Sequence, residues 1–271
     1  MNDCRVFISA DMEGITGVTT WEETERPYDD FDRFRRLMTD EVNAAVEGAL
    51  AGGASEVVVN DSHDSMRNIL IERLHPKARL ISGNVKRLSM MAGLDEGFTA
   101  VFMIGYHAPA GTVAGVLDHT YTSTTARVTL NGQEAPEYAI FGAVAGYYHV
   151  PVTLLTGDET VCQMAKTFFD PIETVAVKKP LSRLAALSRH PQETHAEIQA
   201  AAQRAVQLRG HPVRFEPPIT LQVTFQNSRQ ADQAEIVPLA RRVDGYTIEY
   251  VHDDYLVIID ALRSLCHLSY R

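Results

Sequence analysis

Three short apolar runs, each closing on residues that can bind a proton or a metal, constrain this chain more than any other feature. Val6-Phe7-Ile8 runs into Ser9-Ala10-Asp11-Met12-Glu13-Gly14, Val57-Val58-Val59 into Asn60-Asp61-Ser62-His63, and Ala100-Val101-Phe102-Met103-Ile104 into Gly105-Tyr106-His107. Uninterrupted apolar runs of this length suit strands of a parallel sheet covered on both faces. Between the first two runs, Phe31, Phe34, Leu37, Met38, Val42, Ala45, Val46 and Ala49 recur at three- and four-residue steps. That spacing predicts an amphipathic helix over about 30–50, stopped by Gly52-Gly53. Strand and helix signals keep alternating to about Val177, so the expected fold class is α/β, a mostly parallel sheet with helices on both faces.

Within that frame, Leu80-Ile81 and 152–155 read as further strands, and 137–148 and the segment from Glu159 as helices. A short helix is expected over 66–74 and a helical turn over 89–94. The dipeptide Asn131-Gly132 is a hairpin-turn signal, and 108–118, rich in Gly and Ala, reads as a flexible loop. Beyond Pro180 the pattern changes to a helical region over 182–208, strands at 220–225 and 247–251, and a closing helix at 255–268. The chain is therefore expected to divide into an α/β domain, 1–179, and a smaller α+β domain, 180–271. At 271 residues there is ample length for this arrangement.

A net charge of −10 argues against nucleic acid as a partner, since phosphate binding needs clustered Lys and Arg. The three cysteines, Cys4, Cys162 and Cys266, form no CxxC pair, which points to reduced thiols in a cytoplasmic protein. No apolar stretch is long enough for a membrane span or signal peptide, so no membrane partner is expected.

The strand ends carry the chemistry. Residues two apart in a strand share a face, so Asp11 and Glu13 can converge at the carboxyl edge of the sheet, where open α/β proteins hold their ligands. Two crowded carboxylates repel unless a proton or a metal neutralises them. Asp61, His63 and His107 end neighbouring runs, and mixed Asp, Glu and His donors suit zinc or a similar divalent ion. A shared Asp could bridge two such ions at roughly 3.5–4 Å. Each residue also has a plainer reading: Asp11 as a turn or capping residue, His63 as part of an Asn-Asp-Ser turn, His107 as a satisfied polar group at a strand end. Their joint position on three strand ends favours the metal. The sequence has no GxGxxG opening a helix, no GxxxxGK[ST], no GxSxG and no HExxH.

Asp11-Met12-Glu13-Gly14-Ile15-Thr16-Gly17, Val59-Asn60-Asp61-Ser62-His63, Leu74-His75-Pro76, Leu80-Ile81-Ser82-Gly83, Gly105-Tyr106-His107-Ala108, the stretch 131–137 and Ala145-Gly146-Tyr147-Tyr148 resemble, in the same order, the zinc-dependent D-aminopeptidase family of bacterial dipeptide-transport operons. The similarity runs to about Lys178 and is looser beyond. The resemblance implies two zinc ions per subunit, with ligands at Asp11, Glu13, His63, His107 and Glu137 and with Asp11 bridging. Glu137 carries no signal of its own, because a Glu opening a helix is ordinarily a favourable partner of the helix dipole; nearby Glu134 fits the family position less well. His119 matches the family's catalytic histidine, whose role would be to move a proton to the leaving amine or, alternatively, to attack the carbonyl.

The implied activity is hydrolysis of an N-terminal amino acid, of D configuration, from short peptides or amides. A homo-oligomer, a decameric ring enclosing a chamber, is implied as well, with 1–179 as the metal-binding catalytic domain and 180–271 contributing oligomer and chamber contacts. Two rival readings remain at this stage: a metallohydrolase of other specificity, such as an L-aminopeptidase or a cell-wall peptide amidase, and a non-catalytic protein that binds peptide or metal.

Overall fold

The computed structural model describes residues 4–270. Twelve strands and six α-helices are found among them: β1 Arg5–Ala10, α1 Phe31–Ala51, β2 Glu56–Asp61, β3 Ala78–Ile81, β4 Ala100–Tyr106, β5 Thr125–Leu130, β6 Gln133–Glu134, α2 Glu137–Tyr147, β7 Val152–Asp158, α3 Glu159–Phe168, β8 Glu173–Ser182, β9 Ala185–Ser188, α4 Pro191–Ala205, β10 Ile219–Phe225, α5 Ser228–Ala234, β11 Arg241–Arg242, β12 Thr247–His252 and α6 Tyr255–Ser269. The main sheet has the order β3-β2-β1-β4-β7-β8-β9. Its strands are parallel except for β9, which returns antiparallel along β8. The fold class is thus α/β with a mostly parallel sheet, as the alternating pattern predicts.

Sequence patterning decides what covers each face. The stripe Phe34, Met38, Val42 and Ala45 of α1 packs with α4 residues Ile198, Ala201 and Ala202 over Ile8, Val59 and Phe102 of the sheet. Phe7, Val101, Met103 and Leu155 point the other way, into a core shared with Phe141 of α2, Val161 of α3 and Leu262 and Leu265 of α6. Full burial of such a side chain is worth roughly 1.5–3 kcal/mol, so the two cores hold the central strands in place from both sides. A second, antiparallel sheet, β11-β12-β10-β5-β6, joins the second core. It takes β5 and β6 from before residue 179 and the remaining strands from after it, while residue 179 itself lies within β8.

Three local expectations differ from the structure. Residues 66–74 form turns, not a helix, because the Asp61 carboxylate accepts the backbone N–H groups of Asn68 and Ile69 and Met66 adopts a left-handed φ of 58°. The helical region expected from residue 182 begins only at Pro191, where His190 caps α4; the residues before it form the β8–β9 hairpin. The loop 108–118 is tied down: Val116 N–H donates to Asp158, Leu117 N–H to the Arg183 carbonyl and Gly111 N–H to Asp118. The Asn131-Gly132 turn does join β5 to β6.

Candidate metal centre

The sheet order places β1 between β2 and β4, so the carboxyl ends of these strands stand side by side, at the crevice where strand order reverses. Asp11 and Glu13 follow β1, His63 follows β2 and His107 follows β4. The loop after β1 approaches β4 closely enough to require glycine at two points. A side chain at Gly14 would begin 2.1 Å from the Tyr106 carbonyl oxygen, and one at Gly105, already at φ +74°, would begin 2.3 Å from that of Asp11. From beneath, the buried Lys178 ammonium donates to the carbonyls of Glu13 (2.5 Å), Ile15 (3.0 Å) and Val18 (2.7 Å). The carboxylate of Glu41, on α1, accepts Thr16 N–H at 2.8 Å. Lys178 and Glu41 thereby fix the backbone that presents Asp11 and Glu13.

Three carboxylates and three imidazoles meet here: Asp11, Glu13 and Glu137 with His63, His107 and His119. Each ring has one nitrogen on a backbone carbonyl: His63 Nε2 on Thr24 (3.0 Å), His107 Nδ1 on Ala108 (3.0 Å) and His119 Nδ1 on Leu117 (2.9 Å). A carbonyl only accepts, so those nitrogens carry the protons, an arrangement typical of imidazoles whose other nitrogen binds a metal. The opposite nitrogens face carboxylates. His63 Nδ1 lies 3.3 Å from Asp11 Oδ1 and 3.0 Å from Glu13 Oε2. His107 Nε2 lies 3.5 Å from Asp11 Oδ2 and 3.2 Å from Glu137 Oε1. His119 Nε2 lies 3.7 Å from Glu13 Oε1 and 3.6 Å from Glu137 Oε1.

Neutral imidazoles in this arrangement would point lone pairs at carboxylates, so the centre demands cations. Protonated His63 and His107 are one source of that charge. Burial opposes a charged His107, yet the Glu137 carboxylate pushes its pKa up to about 10. Burial likewise opposes charge on His63, but Glu13 and Asp11 hold it well above the ordinary imidazole value. Burial and the neighbouring Glu13 charge raise Asp11 to about 7. For Glu13, burial is outweighed by His63, and the carboxyl stays well below its usual range. Even so, the buried atoms Glu13 Oε2 and His107 Nε2 have no hydrogen-bond partner of acceptable geometry, although such an orphan costs roughly 1–3 kcal/mol. Divalent cations would satisfy both atoms and displace the protons from His63 and His107.

Three donor groups are close enough for an ion: Asp11, Glu13 and His63; Asp11, His107 and Glu137; and Glu13, His107 and His119, each with ligand atoms within 4.8 Å of one another. Asp11 belongs to two of them through different oxygens. Mixed nitrogen and carboxylate donors of this kind fit zinc.

The six residues to which the family resemblance gives metal binding or catalysis lie together in this cluster. Glu137 opens α2 and is pinned by Tyr121, whose backbone N–H donates to its Oε1 at 2.7 Å. His119 stacks on His107 with ring centres 4.0 Å apart, and Trp21 packs edge-on against it at 5.3 Å. Asp61 stays outside, its oxygens taken by Asn68 and Ile69. Sequence reasoning missed Lys178, although an ammonium closing the apolar run 175–177 is the signal of a buried cation, and it missed Trp21, the chain's single tryptophan. A cavity of about 580 Å³ opens over the cluster, lined also by Glu25, Asp64, Tyr121, Arg263 and His267.

Fold and cluster define a class, an α/β protein with a buried carboxylate–imidazole centre, at a sheet switch point, whose donors could hold a divalent metal. The chain belongs to the D-aminopeptidase family, peptidase M55, whose family model matches residues 4–264. It is similar to a curated D-aminopeptidase of Bacillus subtilis (strain 168), 33% identical over 270 residues that cover 98% of each chain. It is also similar to a solved structure, the Zn-dependent D-aminopeptidase DppA from Bacillus subtilis, described as a self-compartmentalizing protease, with TM-score 0.96, 32% identity and 98% of each chain covered.

Proposed function

We propose that the protein is a zinc-dependent D-aminopeptidase that removes an N-terminal D-amino acid from short peptides or amides at a two-zinc centre. The carrying observation is that Asp11 divides its two oxygens between His63 and His107, the disposition of a bridging carboxylate. Asp11, Glu13 and His63 would hold one ion, and Asp11, His107 and Glu137 the other. Zinc bound there supplies Lewis-acid polarisation of the scissile carbonyl and a lowered pKa for water.

The chain's own residues do the rest. His119 Nδ1 is anchored on Leu117, which aims Nε2 at the cluster. Burial and the adjacent His107 keep its pKa below the ordinary imidazole value, and in this place it would take a proton and pass it to the leaving amine. Trp21 packs against that ring, its centroid 5.3 Å away. Zinc analysis beside a substrate panel tests the reading: two zinc ions per chain and turnover of D-alanyl amides and peptides well above their L counterparts are expected. A metal-loaded protein that cleaves neither series would overturn it, and equal turnover of both would move the assignment to a metallohydrolase of other specificity.

Assembly into a closed homo-oligomeric ring of ten is part of this reading, supported by the self-compartmentalizing relative. Leu181, Leu184 and Leu187 stand exposed on the β8–β9 hairpin, with Ile236 and Leu239 exposed further along, and apolar groups left outside in this way suit subunit contacts from the region 180–271. Light scattering should give the mass of ten chains of 30.0 kDa, and a monomeric mass would remove the ring. A cytoplasmic location accords with three free cysteines and with no helix among the described residues long and apolar enough to cross a membrane.

A further inference from the structure

In a chain of net charge −10, the guanidinium that lines the catalytic cavity runs against the general trend. Arg263 projects from α6 with its side chain only one-fifth exposed. It is held in place: Nη1 donates to the Arg87 carbonyl at 2.6 Å, and the guanidinium lies near the Tyr121 hydroxyl, which meets Ser89 Oγ at 3.3 Å. Its nearest carboxylate, Asp260 of the same helix, stands 3.8 Å away, beyond hydrogen-bond reach, and also pairs with Arg87. His267 lies one turn further along the same helix face and lines the same cavity.

Tyr121 ties this arginine to the metal cluster, with its backbone N–H on Glu137 and its hydroxyl beside Arg263. The gap between them is therefore on the order of one tyrosine side chain plus a contact at each end, a span that a short peptide of two to three extended residues at roughly 3.5 Å each covers. The acidic lining outside the cluster lies elsewhere, where Glu25 and Asp64 act on each other and on His63. The cavity thus has an acidic end suited to an ammonium and a basic end suited to a carboxylate.

We propose that Arg263 binds the terminal carboxylate of the substrate, so that the preferred substrates are short peptides with a free carboxyl end. This rests on the aminopeptidase reading above and adds its length and end-group selectivity. Guanidinium and carboxylate form the strongest of the common side-chain pairings.

The test compares D-Ala-D-Ala with its C-terminal amide on the zinc-loaded full chain. The wild type should prefer the free acid in kcat/KM by roughly tenfold or more, the scale of a charge-assisted hydrogen bond. Arg263→Met should erase that preference, chiefly through KM for the free acid, and Arg263→Lys should retain part of it. A variant damaged only in its folding lowers both substrates together and leaves the ratio intact, which would overturn the proposal. Equal use of acid and amide by the wild type would overturn it too, while leaving the aminopeptidase reading standing. If neither peptide is cleaved, the reading itself fails and takes this inference with it.

Discussion

His119→Ala should keep its zinc and lose its turnover. The side chain is not needed to complete either of the two donor groups that share Asp11, because His63 and His107 already serve them. Its Nε2 stands 3.7 Å and 3.6 Å from the nearest carboxylate oxygens, looser than the 3.0 Å and 3.2 Å contacts made by those two rings. Zinc content by elemental analysis should therefore stay at the wild-type level. Removal of a positioned acid–base group costs roughly 10²–10⁴ in rate, and kcat for D-Ala-D-Ala should fall within that range. A proton donor matters less when the leaving group is already stable, so the defect should shrink for the p-nitroanilide of D-alanine. A loss of equal size on peptide and anilide would favour direct attack by the imidazole on the carbonyl, and unchanged turnover would remove His119 from the mechanism.

Much of this centre was legible in the sequence because parallel strands end on one edge. Asp11, Glu13, His63 and His107 each follow an apolar run, and the sheet order β2-β1-β4 makes those run ends neighbours. Glu137 and His119 were not legible from pattern. Glu137 sits in the first turn of a helix, where an acidic residue is ordinary, and becomes distinctive only because α2 aims it at His107. His119 comes from a loop whose path is set by long-range ties to Asp158 and Arg183, and no local periodicity encodes such ties. The false helix over 66–74 has the same origin, since its apolar spacing was adequate but the Asp61 carboxylate offered the backbone a better partner. Arg263 lay furthest from view, on the opposite end of the chain from the carboxylates whose cavity it shares.

The charge balance of the cluster explains why its backbone is so firmly held. Lys178 is buried, its pKa brought down to about 8 by that burial, and it makes three bonds to carbonyls of one loop. Glu41, raised to about 7 by its own burial, takes the amide of Thr16 in the same loop. Crowded carboxylates push apart without cations between them, and a loop anchored at four backbone groups resists that push.

Asp11→Ala and Glu13→Ala should therefore differ, although they remove the same kind of group from the same loop. Asp11 faces His63 through Oδ1 and His107 through Oδ2, so its loss takes one donor from each ion position. Glu13 is 3.0 Å from His63 through Oε2, while its other oxygen lies 3.7 Å from His119 and it groups with His107 only within 4.8 Å. Asp11→Ala should drop zinc from two per chain to below one and cut kcat/KM by roughly a thousandfold or more, the several kcal/mol that metal polarisation supplies. Glu13→Ala should keep close to one zinc per chain. Because an ion that binds only the folded state stabilises it by mass action, the zinc-dependent rise in Tm should vanish for Asp11→Ala and persist in reduced form for Glu13→Ala. Equal, mild losses of zinc from both variants would show that Asp11 does not bridge.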